Sequence, residues 1–249
     1  MAPIIEFKDY TFKYRAQKEP TLRNINLTVN SGEKVLIVGP SGSGKSTIAH
    51  CINGLVPFSF AGESSGTLRV KGEDPAKLGI FGMSKIAGTV LQDTNGQFIG
   101  LTVAEDIAFA LENDMVPQEE MFDRVGQVAE VVEVQPLLAH APWELSGGQK
   151  QRVSMAGVMV DDVEILLFDE PLANLDPATG KRAIDLIDKI SKNKKTTVLI
   201  IEHRLEDALY RDVDRIVVVG DGRIVADEKP DVLLAGNVLK EQDIREPLY

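Results

Sequence analysis

The sequence predicts an α/β fold: a largely parallel sheet, an N-terminal antiparallel β subdomain and an inserted α-helical subdomain. Three patterns carry that expectation. Runs such as Lys34-Val35-Leu36-Ile37-Val38 and Ile165-Leu166-Leu167-Phe168 are almost continuously apolar, which suits strands buried on both faces of a parallel sheet. Near the N-terminus the apolar residues instead alternate with polar ones, as in a half-exposed antiparallel sheet. From Thr102 to Pro142 the spacing turns helical.

Taken in order, Ile5 and Phe7, then Tyr10, Phe12 and Tyr14, alternate with one slip that predicts a bulge. Ile25, Leu27 and Val29 repeat the alternation before the turn Ser31-Gly32. The buried strand Lys34–Val38 leads to a glycine-rich loop and a helix from Lys45 to about Asn53. Val56 to Gly66, rich in Gly, Ser and Pro, reads as loose chain, followed by strands Thr67–Val70 and Gly88–Leu91. Val103, Ile107 and Leu111 share one helical face, as do Val125, Val128 and Val132. Strands Val163–Phe168 and Thr196–Ile201 flank an amphipathic stretch from Ala178 to Lys192. Val213–Val219 and Arg223–Ala226 form a hairpin around Gly220-Asp221-Gly222. One domain is expected over 1–249, with the α/β core and β subdomain at about 1–92 and 160–249 and the helices at about 93–159.

Composition narrows the function. The chain is 43% hydrophobic and 26% charged, a soluble globular balance. No apolar run approaches the ~20 residues that cross a bilayer, and Met1-Ala2-Pro3-Ile4-Ile5-Glu6 lacks a secretion-signal pattern. Work at a membrane is therefore expected through a partner. A net charge of −11 opposes a nucleic-acid surface. Cys51, the only cysteine, excludes an internal disulfide; it is expected to be a small buried hydrophobe in a reducing setting.

Gly39-Pro40-Ser41-Gly42-Ser43-Gly44-Lys45-Ser46 matches the P-loop, in the required context of strand, loop and helix, so the core is expected to be of the P-loop NTPase type. The glycines let successive amides point at phosphate oxygens, and the helix start adds its unsatisfied amides. Lys45 is the mobile cation for the β- and γ-phosphates, Ser46 a Mg²⁺ ligand, and Thr47 completes the nucleotide-binding set. The strand Ile165–Phe168 ends in Asp169 and Glu170. Asp169 can hold the metal through its water shell, and Glu170 can polarise a water in line with the γ-phosphate. ATP and Mg²⁺ are the expected ligands.

Leu145-Ser146-Gly147-Gly148-Gln149, followed by Lys150-Gln151-Arg152, resembles the signature motif of ABC ATPases. Ser146 is also a good N-cap for the helix beginning near Gly147. The resemblance covers nearly the whole chain. It implies that Ser146, Gly147, Gly148 and Gln149 face the γ-phosphate of ATP on a second, homologous or identical cassette. Asp176, in Ala173-Asn174-Leu175-Asp176, would also act across that dimer interface. Tyr14 falls where an aromatic ring stacks on adenine, Gln92 where a glutamine senses Mg²⁺ and faces the transmembrane partner, and His203 where a histidine contacts the γ-phosphate. His50 and His140 match no motif and are expected at the surface.

Within the family, Gln92-Asp93-Thr94-Asn95-Gly96-Gln97-Phe98 and Thr102-Val103-Ala104-Glu105-Asp106-Ile107-Ala108-Phe109 resemble the ATPases of energy-coupling-factor importers for vitamins or metal ions. Thr94 and Asn95 depart from the usual proline and acid. The stretch Ile244–Tyr249 resembles the segment after the first cassette in two-cassette proteins of this group, often linked to thiamine-precursor uptake. The resemblance thus implies an ATP hydrolase on the cytoplasmic side of the cell membrane, joined to integral-membrane subunits. The alternatives are the ATPase of another ABC importer or exporter, a soluble ABC ATPase acting on nucleic acid, which charge and the short insert oppose, and a non-hydrolysing regulatory cassette.

Overall fold

The computed structural model describes residues 3–91, 96–173, 175–192 and 196–247. In chain order, strands β1 (Pro3–Tyr14), β2 (Leu22–Asn30) and β3 (Lys34–Val38) precede helices α1 (Lys45–Ile52) and α2 (Leu55–Phe58). Strand β4 (Gly62–Val70), helix α3 (Pro75–Ser84) and strand β5 (Ala87–Val90) lead to helices α4 (Val103–Asn113), α5 (Gln118–Val131) and α6 (Gly147–Met159). Strand β6 (Ile165–Asp169), helix α7 (Pro177–Ser191), strand β7 (Thr197–Ile201) and helix α8 (Leu205–Ala208) come next. The chain closes with β8 (Arg215–Gly220), β9 (Arg223–Glu228), α9 (Pro230–Leu234) and α10 (Val238–Glu241).

The N-terminal alternation becomes an antiparallel sheet of order β2-β1-β4. Its expected slip is a bulge: the β1 register shifts between Phe7 and Tyr10, and Asp9 between them sits at φ +48°. Asn26 fastens the bulge, accepting from the Asp9 N–H at 3.0 Å and donating to its carboxylate at 3.1 Å. The extra residue returns Tyr10 and Phe12 to the face that Ile5 and Phe7 already bury. β4 begins five residues before the expected Thr67, so the second half of the supposedly loose segment is strand, and its first half holds α2. Its polar run Glu63-Ser64-Ser65 hid it, because those side chains face outward while β1 supplies the pairing, Tyr14 opposite Gly62.

The second sheet has order β5-β6-β7-β3-β8-β9, parallel except for the edge strand β9. Its apolar strands serve two cores, as period-two geometry requires. Leu36, Val38, Leu166, Phe168, Val198 and Ile200 face the core shared with α4–α7. Val35, Ile37, Ile165, Leu167, Leu199 and Ile201 face α1 and the antiparallel sheet. In the helical block Val103, Ile107, Leu111, Val125, Val128 and Val132 are all buried. α4 opens with a capping box, Thr102 and Glu105. Among the described residues no helix is long and apolar enough to cross a membrane.

Candidate functional site

β3 delivers Gly39 to the top of the sheet, where β8 runs so close that a Cβ there would lie 2.1 Å from the Val219 carbonyl. Pro40, Ser41 and Gly42 form an exposed lip; Ser43, Gly44 and Lys45 turn back inside. Gly44 precedes α1 in the left-handed region (φ +107°), and no side chain caps the helix. The first-turn amides, which have no intrahelical acceptors, are thus left for a ligand. Lys45 Nζ donates to the carbonyls of Gly39 at 2.8 Å and Pro40 at 2.9 Å. Burial lowers its pKa, against the opposing pull of Glu170, Asp169 and Glu202. The buried Ser43 hydroxyl has no hydrogen-bond partner among the described residues. Behind the loop, the Gly222 N–H donates to the Ser43 carbonyl at 3.1 Å, while the Gly222 carbonyl accepts from the Arg23 N–H at 2.7 Å.

The end of β6 meets this loop. Ser46 Oγ lies 3.2 Å from Asp169 Oδ1. Burial raises the Asp169 pKa, and the charges of Glu170 and Glu202 add to that, against Ser46 and Lys45. A hydroxyl and a desolvated carboxylate are hard oxygen donors that suit Mg²⁺, which binds through one or two protein oxygens plus phosphate. No group of three or more His, Cys, Asp or Glu residues that could hold a metal by itself occurs among the described residues. Glu170 takes φ +51°, and its Oε2 is 3.7 Å from Nδ1 of His203, a half-exposed side chain at the end of β7. Gln92 lies outside the described residues.

Tyr14 ends β1 beside α1, its hydroxyl 2.9 Å from Thr47 Oγ1 and its ring edge-on to Phe12 and Phe60. His50, expected at the surface, is instead half-buried and stacks on Phe60 at 4.3 Å; its Nδ1 is buried without a partner among the described residues. The lack of a motif gave no hint of this, because Phe60 arrives from the segment before β4. His140 is exposed and Cys51 buried, as expected.

Ser146 caps α6 in a complete box: its N–H donates to Gln149 Oε1 at 2.8 Å, and its Oγ accepts from the Gln149 N–H at 3.4 Å. Asp176 caps α7, accepting from the N–H groups of Ala178 and Thr179, and hydrogen bonds from Thr179 and Ala178 hold its carboxyl below the usual range. Ser146–Gln149 and Asp176 line one cavity of ≈ 230 Å³ together with Thr179 and Arg182. Lys45, Asp169, Glu170 and His203 are not among its lining. The structure therefore gathers the expected residues into two separate sets.

Three residues near the site were not anticipated. Glu202 is fully buried, Arg204 donates to the Leu172 carbonyl, and Gln151 is a buried amide on α6. Glu202 left a trace in the sequence as a charge directly after the apolar run of β7, and Gln151 as part of the run that follows the signature pentapeptide.

Residues 22–173 match the ABC transporter family model. The chain is 63% identical over 246 residues to a Clostridium perfringens protein named for an inferred role as an ABC transporter ATP-binding protein, covering 99% of this chain and 43% of that one. A similarly named Photobacterium profundum protein is 60% identical, covering 98% and 43%. The chain thus spans less than half the length of these curated relatives. Among solved structures, the CbiO1 protein of Clostridium perfringens, described as part of the ABC transporter complex CbiONQ, superposes with a TM-score of 0.85 at 28% identity, covering 98% of this chain and 96% of that one. The ATP-binding cassette MJ0796, solved as a dimer in a post-hydrolysis state bound to ADP and Pi, gives 0.77 at 29% identity, covering 90% and 98%. The chain belongs to the ABC transporter family.

Proposed function

We propose that this cassette powers an energy-coupling-factor-type importer of a vitamin or metal ion, working as one of a pair of cassettes on the cytoplasmic face of the membrane. The separation of the two residue sets supports the pairing: Ser146–Gln149 and Asp176 open into a cavity that none of Lys45, Asp169, Glu170 or His203 lines. Each set then completes a nucleotide site only with the opposite set of a second cassette. The likeness to a component of CbiONQ supports the importer branch. The relatives' greater length supports a second cassette on the same polypeptide.

In this reading Tyr14 stacks on adenine, and the amides of Gly39–Thr47 with Lys45 hold the phosphates. Mg²⁺, when bound, neutralises phosphate charge, with Ser46, Asp169 and Gln92 to hold it. Glu170 orients and deprotonates the attacking water, and His203, beside it, donates toward the γ-phosphate. The partner's signature helix presents its first amides to the same phosphate, so hydrolysis waits on closure. The core and the helical insert at about 93–159 would move as the units that pass closure to the membrane subunits.

Affinity purification of the full-length protein from detergent-solubilised membranes tests the assignment. Co-purification of a small integral-membrane substrate-binding subunit is the expected result. Recovery without any membrane subunit, or with nucleic acid that salt removes, overturns it.

A further inference from the structure

One peptide group in the loop after β6 is held at both ends. The Pro171 carbonyl accepts from the side-chain amide of Gln151, a buried residue of α6. The Leu172 N–H, at the other end of that peptide plane, donates to Glu202 Oε2 at 3.2 Å. Glu202 Oε1 accepts from the N–H groups of His203 at 2.9 Å and Arg204 at 3.1 Å. Arg204 then donates to the Leu172 carbonyl at 2.8 Å. A fully buried carboxylate is costly unless hydrogen-bonded, and three backbone donors satisfy this one.

The neighbours of that peptide matter. Glu170 directly precedes Pro171 and holds a left-handed backbone, a conformation that persists only where its surroundings over-determine it. His203 directly follows Glu202. Gln151 stands two residues beyond Gln149 on α6 and itself lines the cavity at that helix start.

We infer that Gln151 and Glu202 are positioning residues: by gripping opposite ends of the Pro171–Leu172 peptide group they set Glu170 and His203 and tie them mechanically to α6. The inference rests on the functional reading above, in which Glu170 and His203 serve this chain's own ATP and the start of α6 serves the neighbour's. A shift of α6 on engaging the neighbour's nucleotide is then passed through one peptide plane to the chain's own hydrolytic carboxylate. Neither residue belongs to the set that holds this chain's own nucleotide in that reading, so ADP binding there is left intact.

The test uses the full-length protein with Gln151→Leu, Glu202→Gln and the double variant, measuring kcat and KM for ATP and the affinity for a fluorescent ADP analogue. Each single variant is expected to lower kcat by about tenfold or more, with KM and ADP affinity within about twofold. The double variant should lose no more than the worse single, because both act through the same peptide group. A kcat for Gln151→Leu within about twofold of wild type, or losses that multiply in the double variant, overturns the inference. If Glu202→Gln does not fold, Gln151→Glu replaces it: a carboxylate set against the Pro171 carbonyl should lower kcat further than Gln151→Leu, and wild-type activity overturns the role. Absent ATPase in the wild type sinks the functional reading, whereas an active wild type with an unimpaired Gln151→Leu sinks only the positioning role.

Discussion

α1 and α6 both start at glycine-bearing turns, and the chain treats those starts in opposite ways. α1 follows a left-handed Gly44, carries no side-chain cap, and has Lys45 folded back on its own loop carbonyls. α6 follows Ser146 and spends its cap residue and Gln149 on each other. The first start is unsatisfied and enclosed by its own chain, backed by β8 and the Gly222 turn. The second is capped by its own Ser146 and opens outward into a cavity shared with Asp176, itself a cap for α7. An uncapped, backed loop can bind phosphate alone, while a capped, outward helix start holds its shape until a partner brings the anion to it.

The largest expected effect separates binding from chemistry. Glu170→Gln should cut phosphate release by about 10²–10⁴-fold while ATP binding persists; loss of ATP binding in equilibrium dialysis would move Glu170 from the chemistry to the binding surface. A glycine pair then sharpens the contrast. Gly44→Ala forces a left-handed alanine whose Cβ would sit 2.8 Å from Leu22 Cδ2, so urea unfolding should register a loss of about 1–3 kcal/mol along with weakened ADP binding. A Cβ on Gly147 meets nothing within 4 Å. Gly147→Ala should therefore stay within about 0.5 kcal/mol of wild-type stability and keep ADP affinity, yet lose ATPase activity. Full activity would remove the α6 start from the nucleotide.

A smaller effect concerns the cap itself. Ser146→Ala breaks the capping box and should cost about 1 kcal/mol of stability by urea titration; no loss would mean that Gln149 alone holds the turn. The smallest concerns pH. Burial lowers the pKa of His50 on α1, so the folded chain resists the proton that the unfolded chain accepts. Stability is then fully present above the unfolded value of about 6.5 and falls as pH drops below it, until the lower folded pKa is reached. His50→Phe, which keeps the stack on Phe60, should flatten that acid limb in thermal melts between about pH 6.5 and 5. α6 contains no histidine, so no matching limb is expected from that helix.

How much of this molecule is legible in its sequence depends on where each signal resides. Buried strands, the bulge near Asp9, the P-loop and the capped start of α6 are local patterns, readable from neighbours a few residues apart. The outer half of β4 was not, because Gly62–Ser65 owe their pairing to β1 rather than to their own side chains. His50 was misplaced for the same reason. The structural roles of Gln151, Glu202 and Arg204 were not legible, because the distant partners they hold are backbone groups 20 to 32 residues away in the chain. Backbone atoms carry no residue identity, so no motif announces them. The separation of the two residue sets could be suspected from the signature motif, but the shared cavity with Asp176 required the fold.

The Gly222 turn bears on how this protein can be engineered. A short hairpin turn with an exposed residue at its tip, as Asp221 is beside the buried Gly222, is where one would ordinarily insert a tag or graft a sensor domain. Here that turn is a wedge behind the P-loop, joined to Ser43 on one side and to Arg23 on the other, with the Thr21 carbonyl 2.3 Å from where a Cβ would stand. A graft at this tip would report on, or abolish, nucleotide occupancy rather than ride along silently. The loop at 114–117 between α4 and α5, exposed at Met115 and Pro117, has no such neighbour in the P-loop and is the better handle.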